Sequence, residues 1–320
     1  MTVLITGAGL LGQEVAKRLS TRGERFVVMD ICQPESFPND LPGMHFVELD
    51  VTNAEALFAL AKDHDVDRII HTAAVLSNGL RANPLLGLNV NLMGTANILE
   101  LARSIQAKRT VTISSATVVY SGFGAFDAKP IPEDASLRMM SDRPRSLYAA
   151  TKVAGENLGM LYRDLYGVSH VSLRLAAVIG GDTSAPSSVP GQLLSTLVTA
   201  AKAGKHCPLD NPLFHWGGTE EFVDLRDCAD SVISALDADN PKQGTYTIAH
   251  SKLWTLSEVV NSVARIFGDF TCDLPDGVTT GFAGFPFQRP AASDTSAAER
   301  ELEFHCKHDL DDTLSHWFTQ

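Results

Sequence analysis

Three polar residues of this chain have the types and the spacing needed to move a proton. Tyr148 and Lys152 are four residues apart, which on a helix places both side chains on one face, one turn apart. A free phenol titrates near pH ~10, and a neighbouring ammonium favours the phenolate and lowers that pKa. Ser114 and Ser115 end a β-rich run, and one of these hydroxyls would hold a substrate oxygen. Together they predict acid–base chemistry on a substrate hydroxyl, although a Tyr–Lys pair by itself is common on solvated helix faces.

A glycine-rich loop follows the first apolar run of the chain. Gly7, Gly9 and Gly12 fit the pattern G-x-G-x-x-G, with Leu10 and Leu11 between the last two glycines. Glycines let a backbone turn tightly and approach a pyrophosphate, whose charge then lies at a helix N-terminus. The loop therefore predicts a dinucleotide site; the alternative is a plain turn between a strand and a helix.

An acidic residue ends the second β-rich run. Asp30 lies at about the spacing expected for a carboxylate that accepts hydrogen bonds from the adenosine ribose hydroxyls. Such a carboxylate repels a 2′-phosphate, and residues 31–33 contain neither Arg nor Lys. The sequence therefore predicts NAD rather than NADP, and the alternative role for Asp30 is to cap a strand end.

The elements that would position these residues alternate along the first half of the chain. The pattern predicts an α/β fold, a doubly wound parallel sheet (Rossmann) with helices on both faces. The predicted strands are Val3–Thr6, Arg25–Asp30, His45–Leu49, Arg68–Thr72, Thr110–Ser114 and Val171–Leu175, and the predicted helices are Leu11–Thr21, Leu85–Ile105 and Tyr148–Tyr166.

The second half of the chain is less regular. Residues 182–190, 207–219 and 276–297 are rich in Gly, Pro, Ser or Asp and read as loops. We predict an NAD-binding Rossmann domain over residues 1–175. Residues 176–320 are predicted to form mainly a smaller substrate-binding lobe, with some segments returning to the first domain.

Composition excludes several classes of partner and location. A formal net charge of -12 disfavours nucleic acid and anionic membranes as partners. Five scattered cysteines without a C-x-x-C pair are typical of reduced thiols in a cytoplasmic protein. The ten histidines show no metal-binding spacing, so no metal is predicted. We expect no targeting signal, because the first residues lack a basic segment followed by a long apolar one, and no apolar run approaches the length of a membrane span.

Over nearly its whole length the chain resembles the extended short-chain dehydrogenase/reductase family, the NAD-dependent epimerase/dehydratase group. The resemblance implies that Ser115, Tyr148 and Lys152 are catalytic while hydride passes between a substrate carbon and the nicotinamide. It implies a small-molecule substrate and a homodimer held by the helices at 85–105 and 148–166. The residues implied to contact the cofactor, from the motifs L-D-V-T, H-T-A-A, N-x-x-G-T, S-S-A-T and Y-x-x-x-K, are Asp50, Val51, Thr72, Ala73, Ala74, Asn91, Ser114, Tyr148 and Lys152.

The chain departs from the family pattern at three places. Its glycine loop is one residue shorter than the usual G-x-x-G-x-x-G. Nucleotide-sugar enzymes usually have an Asn where this chain has Ala177, and a diphosphate-binding Arg where it has Glu220. A carboxylate does not hold a diphosphate, so these changes argue against a nucleotide-sugar substrate.

Other segments resemble L-threonine dehydrogenases. The run H-T-A-A-V-L-S at residues 71–77 is similar to those enzymes and to D-erythronate-type dehydrogenases. Ser77 would then contact the substrate, or it caps the following element. Arg143 and Arg145 could bind an acid substrate, although exposed charge is the simpler explanation. Arg174, in a predicted strand, could anchor a carboxylate but is more often a structural ion-pair residue.

His215 and Trp216 lie in the predicted loop 207–219. They could touch the substrate, and simple packing of the loop is the favoured role.

We therefore predict an NAD-dependent dehydrogenase of a small hydroxylated substrate, a sugar acid or a hydroxy amino acid, with Tyr148 as general acid/base. The alternative is a nucleotide-sugar 4-epimerase or dehydratase that keeps NAD tightly bound. A third class, a non-catalytic NAD-binding regulator, is disfavoured because Ser115, Tyr148 and Lys152 are all present.

Overall fold

The computed structural model describes residues 1–38, 40–135, 146–181 and 186–319. Its strands are β1 (Thr2–Thr6), β2 (Phe26–Asp30), β3 (Met44–Glu48), β4 (Val66–His71), β5 (Arg109–Ser115), β6 (His170–Leu175), β7 (Ala177–Ile179), β8 (Glu220–Asp224), β9 (Thr245–Ile248) and β10 (Leu253–Trp254). Its helices are α1 (Leu10–Thr21), α2 (Ala54–Asp63), α3 (Ser77–Ala82), α4 (Pro84–Leu88), α5 (Thr95–Ser104), α6 (Thr117–Tyr120), α7 (Leu147–Tyr166), α8 (Val189–Lys202), α9 (Leu225–Asp237), α10 (Leu256–Phe267), α11 (Ser296–Glu301) and α12 (Leu310–Phe318).

A seven-stranded parallel sheet in the order β3-β2-β1-β4-β5-β6-β9 forms the centre of the molecule. Within β1, Val3 and Ile5 pack into one apolar cluster with α1 and α9, and Leu4 packs into another with α2 and α5. Both faces are therefore covered, which explains the continuous apolar run of this strand. The predicted doubly wound α/β fold is confirmed.

The strand order reverses beside β1, whose neighbours are β2 and β4. In open α/β sheets, ligands bind at such a switch point, beyond the carboxyl ends of the strands. The six predicted strands all form, and their observed ends differ from the predicted ones by at most two residues. The sheet therefore presents the ends of β1, β4 and β5 at one edge.

The predicted single helix over residues 85–105 is wrong in one respect. The structure divides this stretch into α4, a π-helical turn over Asn89–Gly94 and α5. Within that turn the Asn91 carbonyl accepts a hydrogen bond from the Thr95 hydroxyl at 2.8 Å, while the Asn91 side chain reaches away to another loop. Apolar periodicity does not report such a bulge, which is frequent at functional sites.

The second half contains more regular structure than its composition indicates. β7, β8 and β10 form a three-stranded sheet, which packs with α8, α10 and α12 around a separate apolar cluster. β9 pairs with β6 in the large sheet, and α9 and α11 contribute to the large-sheet cluster. The division of function at residue 175 stays a prediction. None of the described helices is long and apolar enough to cross a membrane.

Candidate active site

The glycine loop is tied to the loop that follows β4. The backbone N–H of Thr72 donates to the carbonyl of Thr6 at 2.8 Å. The Thr72 hydroxyl donates to the carbonyls of Thr6 and Gly7 at 2.9 and 3.0 Å. The segment Thr72–Ala74 therefore lies against the glycine loop, as the sequence motifs require.

The three glycines of the loop differ in what surrounds them. Gly7 has φ of 97°, and a Cβ there would lie 2.6 Å from the backbone N of Ala73. A Cβ at Gly12 would lie 2.0 Å from the carbonyl oxygen of Gly7. A Cβ at Gly9 would meet nothing within 4 Å. Gly7 and Gly12 are thus required by the fold, whereas Gly9 leaves open space beside the backbone.

That open space lies at the N-terminus of α1. Gly9 is the N-cap residue, and in the described chain no side chain caps this helix end and its first turn holds no acidic residue. Free N–H groups and the helix dipole favour an anion here. The residues present fit a dinucleotide diphosphate: Gly9, Leu10, Leu11 and Gly12 would hold it.

Asp30 lies beside the same loop. Its Oδ2 accepts a hydrogen bond from the backbone N–H of Ala8 at 2.7 Å, and its Oδ1 accepts one from Ile31 at 2.7 Å. The carboxylate therefore braces the loop and caps the strand end, and it remains partly exposed. A carboxylate has further lone pairs, so Asp30 fits a ribose diol without losing these bonds.

Asp50 and Val51, which the family resemblance implies contact the adenine of the cofactor, have structural partners of their own. Asp50 Oδ1 accepts from the backbone N–H and the hydroxyl of Thr52, both at 2.8 Å. Val51 is buried, and its carbonyl accepts from Asn97 at 3.0 Å. Gly94 lies so close to Val51 that a Cβ there would be 2.7 Å from its side chain. These contacts fix the turn that would face the adenine.

Asn91 links the loop after β4 to the helix that carries Tyr148. Its Oδ1 accepts from the Val75 N–H at 2.8 Å, and its Nδ2 donates to the Val75 carbonyl at 3.0 Å. The same Nδ2 donates to the Thr151 hydroxyl at 3.2 Å. Asn91 is buried and therefore positions the loop Thr72–Val75 on α7.

The structure brings Ser115, Tyr148 and Lys152 together. α7 begins at Leu147, with Ser146 capping the N–H of Ala149 at 3.1 Å, so Tyr148 and Lys152 occupy its first turns. The Ser115 hydroxyl lies beside that of Tyr148 and accepts from the backbone N–H and the hydroxyl of Thr117 at 3.3 and 3.0 Å. Lys152 Nζ donates to the Ile113 carbonyl at 2.7 Å and lies 5.5 Å from the centre of the Tyr148 ring.

Burial dominates the electrostatics of this group. It raises the pKa of Tyr148 to about 12, and the hydrogen bond with Ser115 opposes that rise. It also lowers the pKa of Lys152 to about 8, with Glu156 opposing the change. The sequence predicted that Lys152 lowers the pKa of Tyr148; in the structure burial raises that pKa instead, and the neighbour that opposes the rise is Ser115 rather than Lys152.

A buried ion pair lies beneath the candidate catalytic residues. Glu156 accepts from Arg174 Nε at 2.8 Å and from another Arg174 guanidinium nitrogen at 2.7 Å, and from the Ser114 hydroxyl at 2.5 Å. Arg174 also donates to the Glu133 carbonyl at 2.6 Å. Arg174 is thus an ion-pair residue, and the Ser114 hydroxyl is directed to Glu156. Sequence reasoning missed Glu156, although it lies four residues after Lys152 on the same helix face.

His71, the first residue of the motif H-T-A-A, is buried and joins three elements. Its Nδ1 lies 2.6 Å from the Thr6 hydroxyl and its Nε2 lies 3.1 Å from the Thr95 hydroxyl. Burial lowers its pKa to about 3, with the Lys152 ammonium adding to the effect. A neutral His71 therefore joins β1 and β4 to α5.

The remaining candidates fall in different places. Ser77 is the first residue of α3 and is partly exposed, which leaves both of its predicted roles open. His215 hydrogen-bonds the Leu209 carbonyl at 2.6 Å. Trp216 is buried and donates to the Trp254 carbonyl at 3.3 Å, so both residues pack the loop, which was the favoured role. Arg143 and Arg145 lie outside the described residues.

Glu220 has a partner that the sequence does not reveal. It accepts from Arg289 Nε at 2.7 Å, and Arg289 also lies 3.2 Å from Glu221. All three side chains are buried. The Arg289 guanidinium stacks 4.9 Å from the ring centre of Phe123, and its second terminal nitrogen has no hydrogen-bond partner among the described residues. Ala177 opens β7 nearby, which pairs with β8.

The described residues contain no group of three or more His, Cys, Asp or Glu side chains that could hold a metal ion.

Comparison with known proteins places this arrangement in context. The model of the NAD dependent epimerase/dehydratase family matches residues 3–249. An uncharacterized epimerase/dehydratase of Staphylococcus aureus (strain USA300) is 27% identical over 317 residues, covering 96% of this chain and 92% of that protein.

Two solved structures illustrate the range of similar folds. L-threonine dehydrogenase from Phytophthora infestans is 27% identical with a TM-score of 0.78, covering 98% of this chain and 97% of that one. UDP-glucose 4-epimerase from Thermotoga maritima has a TM-score of 0.79 at 19% identity, covering 98% of this chain and 96% of that one. At that identity the second likeness shows the fold alone.

Proposed function

Because this chain belongs to the NAD dependent epimerase/dehydratase family and its cofactor is NAD, we propose that it is a dehydrogenase of a small hydroxylated substrate, a sugar acid or a hydroxy amino acid. The observation that carries the proposal is the contact of Ser115, Tyr148 and Lys152 at the carboxyl end of β5.

In the proposed reaction each of these side chains has one task. Ser115 holds the substrate hydroxyl oxygen beside Tyr148. Tyr148 takes the hydroxyl proton when the substrate is oxidised and returns it in the reverse direction. NAD, when bound, supplies the nicotinamide ring that accepts the hydride. Lys152 stays fixed by the Ile113 carbonyl and provides positive charge beside the phenol.

The two pKa values give the direction of the pH dependence. A phenol with a pKa of about 12 is almost fully protonated at neutral pH, so the fraction of phenolate that can take a proton increases as the pH rises. Lys152, with a pKa of about 8, is mostly charged at pH 7. We therefore expect the oxidation rate to rise with pH as Tyr148 loses its proton, up to the range where Lys152 is neutralised.

Two observations favour a small substrate over a nucleotide sugar. Glu220 is engaged with Arg289 in a buried cluster that also contains Glu221, so two carboxylates accompany one guanidinium where a diphosphate would need net positive charge. The segment His71–Ser77 and the 27% identity to a protein described as an L-threonine dehydrogenase also favour a hydroxy amino acid or a related hydroxy acid.

The proposed cofactor site follows from the loop geometry. Gly7 shapes the turn, the end of α1 from Gly9 to Gly12 would take the diphosphate, and Asp30 would take the adenosine ribose. Asp50 and Val51 would face the adenine. The rest of the cofactor site would be lined or supported by Thr72, Ala73, Ala74, Asn91 and Ser114.

The test is a screen for NADH release over sugar acids, aldoses and hydroxy amino acids, with the Tyr148→Phe variant beside the wild type. We expect turnover on one of these classes and a loss of about 10²–10⁴-fold in Tyr148→Phe. The matched control is Tyr166→Phe, because Tyr166 lies at the far end of α7 and is 57% exposed; its turnover should match the wild type.

The same screen separates the alternative. A 4-epimerase or dehydratase would release no net NADH, would convert UDP- or dTDP-sugars and would retain NAD through purification. Turnover by Tyr148→Phe equal to the wild type would contradict the proposed mechanism for either reaction.

We also propose that the protein acts in the cytoplasm as a homodimer. Free thiols at all five cysteines support the location. For the dimer, the support is a set of exposed apolar side chains on and beside the two helices implied by the family resemblance: Leu85, Leu86, Met93, Met160, Leu161, Leu165 and Tyr166.

A further inference from the structure

Cys207 and Cys272, both in the second half of the chain, lie opposite each other on two paired backbone segments. The Cys207 N–H donates to the Thr271 carbonyl at 2.8 Å, and the Asp273 N–H donates to the Cys207 carbonyl at 3.1 Å. This pattern is a parallel bridge in which Cys207 and Cys272 are directly paired. Paired residues of a sheet lie about 5 Å apart between their Cα atoms, which is within the span of a disulfide.

The two thiols lie on directly paired residues and differ in access. Cys207 and Cys272 are neighbours across the bridge, and both are free. Cys207 is 2% exposed, whereas Cys272 is only partly buried. A reagent in solution therefore reaches Cys272 first, with Cys207 already beside it.

The bridge stands at the root of two loops. Residues 207–219 and 272–289, which we call the cover loops, begin at the two cysteines and meet again further on. The Gly217 N–H donates to the Thr280 carbonyl at 2.8 Å, and the Trp216 and Phe282 rings lie 5.2 Å apart. The far ends are joined by the ion pair between Glu220 and Arg289. A disulfide between Cys207 and Cys272 would join the cover loops covalently at one end, while the ion pair joins them at the other.

We propose that Cys207 and Cys272 form a reversible disulfide that fastens the cover loops together, with a low-molecular-weight disulfide as the oxidant. The Cys272 thiolate attacks the oxidant, forms a mixed disulfide and releases one small thiol. The Cys207 thiolate then attacks the Cys272 sulfur and releases the second small thiol. Two protein thiols are oxidised, the oxidant is reduced to two thiols, and a reducing thiol reverses the reaction.

The surroundings make this exchange slow rather than impossible. Burial raises the pKa of Cys272 to about 12, and Cys207 and Asp273 add to the effect. His206, which precedes Cys207 in the chain, is paired with Asp273, which follows Cys272, at 3.0 Å. Few thiolates are therefore present at neutral pH, and attack by the protein requires a long incubation.

The experiment is incubation of the native protein with oxidised glutathione for several hours, followed by alkylation and non-reducing peptide mass mapping. We expect a peptide pair linked through Cys207 and Cys272 with the loss of two hydrogens, and its disappearance after dithiothreitol. Cys32, which is exposed, is expected to carry glutathione instead.

Matched variants make the assignment specific. Cys32→Ser should keep the 207–272 link, and Cys272→Ser should lose it. If Cys272→Ser does not fold, hydrogen exchange on the wild type gives a second readout. Oxidation should slow amide hydrogen exchange in the cover loops several-fold. A glutathione adduct retained on Cys272 without a cross-link, or modification of Cys32 alone, would overturn the proposal.

Discussion

At the scale of single residues, His71 and His170 are unusual because burial holds the pKa of each to about 3, against an ordinary value of 6.5. His71 is linked to Thr6 and Thr95, and His170 Nε2 lies 2.9 Å from the Thr112 hydroxyl. Both imidazoles are therefore neutral in the folded protein across the physiological range.

These histidines predict a loss of stability in mild acid. The unfolded chain takes up protons as the pH falls below 6.5, whereas the folded chain does so only near pH 3, so folding stability falls as the pH decreases through this window. At pH ~5 the expected loss is about 2 kcal/mol for each histidine. Urea unfolding at pH ~7 and ~5 measures it.

The control separates these two histidines from the rest. His71→Gln should reduce the pH dependence by about half, while the exposed His305→Gln should leave it unchanged. Equal free energies of unfolding at the two pH values would contradict the assignment of neutral buried imidazoles.

A second residue-scale prediction concerns two glycines of one loop. Gly9→Ala should leave the free energy of unfolding within about 0.5 kcal/mol of the wild type, because its Cβ meets nothing and its φ is -68°. It should weaken NAD binding by filling the open space. Gly7→Ala should cost at least about 1–3 kcal/mol, since φ is 97° and Ala73 is in the way.

Urea unfolding and NAD titration on both variants check this. Normal NAD affinity in Gly9→Ala would mean that the diphosphate is not bound at the end of α1.

At the scale of elements, strand β6 and helix α7 are joined by the ion pair of Arg174 with Glu156, whose side chains are 9% and 4% exposed. Removing one partner of such a pair leaves an uncompensated buried charge. Glu156 also accepts a hydrogen bond from Ser114 of β5. The pair therefore fixes the position of α7, and with it Tyr148, relative to β5.

We therefore predict that Glu156→Gln lowers the free energy of unfolding by about 3–5 kcal/mol. The matched control is Glu100→Gln, which breaks an exposed pair with Arg103. This variant should show no measurable change in the free energy of unfolding. Urea unfolding of both proteins is the measurement. A loss in Glu156→Gln no larger than in Glu100→Gln would show that the buried pair is not what joins these elements.

At the scale of the whole molecule, the proposed homodimer rests on α7. Leu161 and Leu165 are 51% and 66% exposed on this helix, and burying them against a second copy is favourable. Leu161→Glu should convert a dimer to a monomer, because it would bury a charge in the interface.

Leu274→Glu is the matched control, since Leu274 is 42% exposed and lies on a cover loop rather than on α7. Sedimentation velocity at micromolar concentration distinguishes the states. A wild-type protein that sediments as a monomer would remove this proposal.

Much of the fold was accessible from local pattern. Strand β1, the glycine loop and α1 are recognisable because apolar runs, glycines and helix periodicity are properties of neighbouring residues. The structure also brings Ser115, Tyr148 and Lys152 close together, and their catalytic roles stay a prediction. The π-helical turn at Asn91 was not accessible in this way. Its Asn91 side chain bonds Val75 in the loop after β4, and that contact exists only in the folded chain.

What the sequence by itself determined is therefore the family, the sheet and NAD as cofactor, while the proton-transfer roles of Ser115, Tyr148 and Lys152 stay a proposal. Only the tertiary structure decided that desolvation dominates the pKa of Tyr148 and that Cys207 faces Cys272. It also decided that Glu220 is paired with Arg289, which lies 69 residues further along the chain. Motifs record which groups are present along the chain, whereas burial and charge pairing depend on segments that become neighbours only when the sheet and the second lobe have folded.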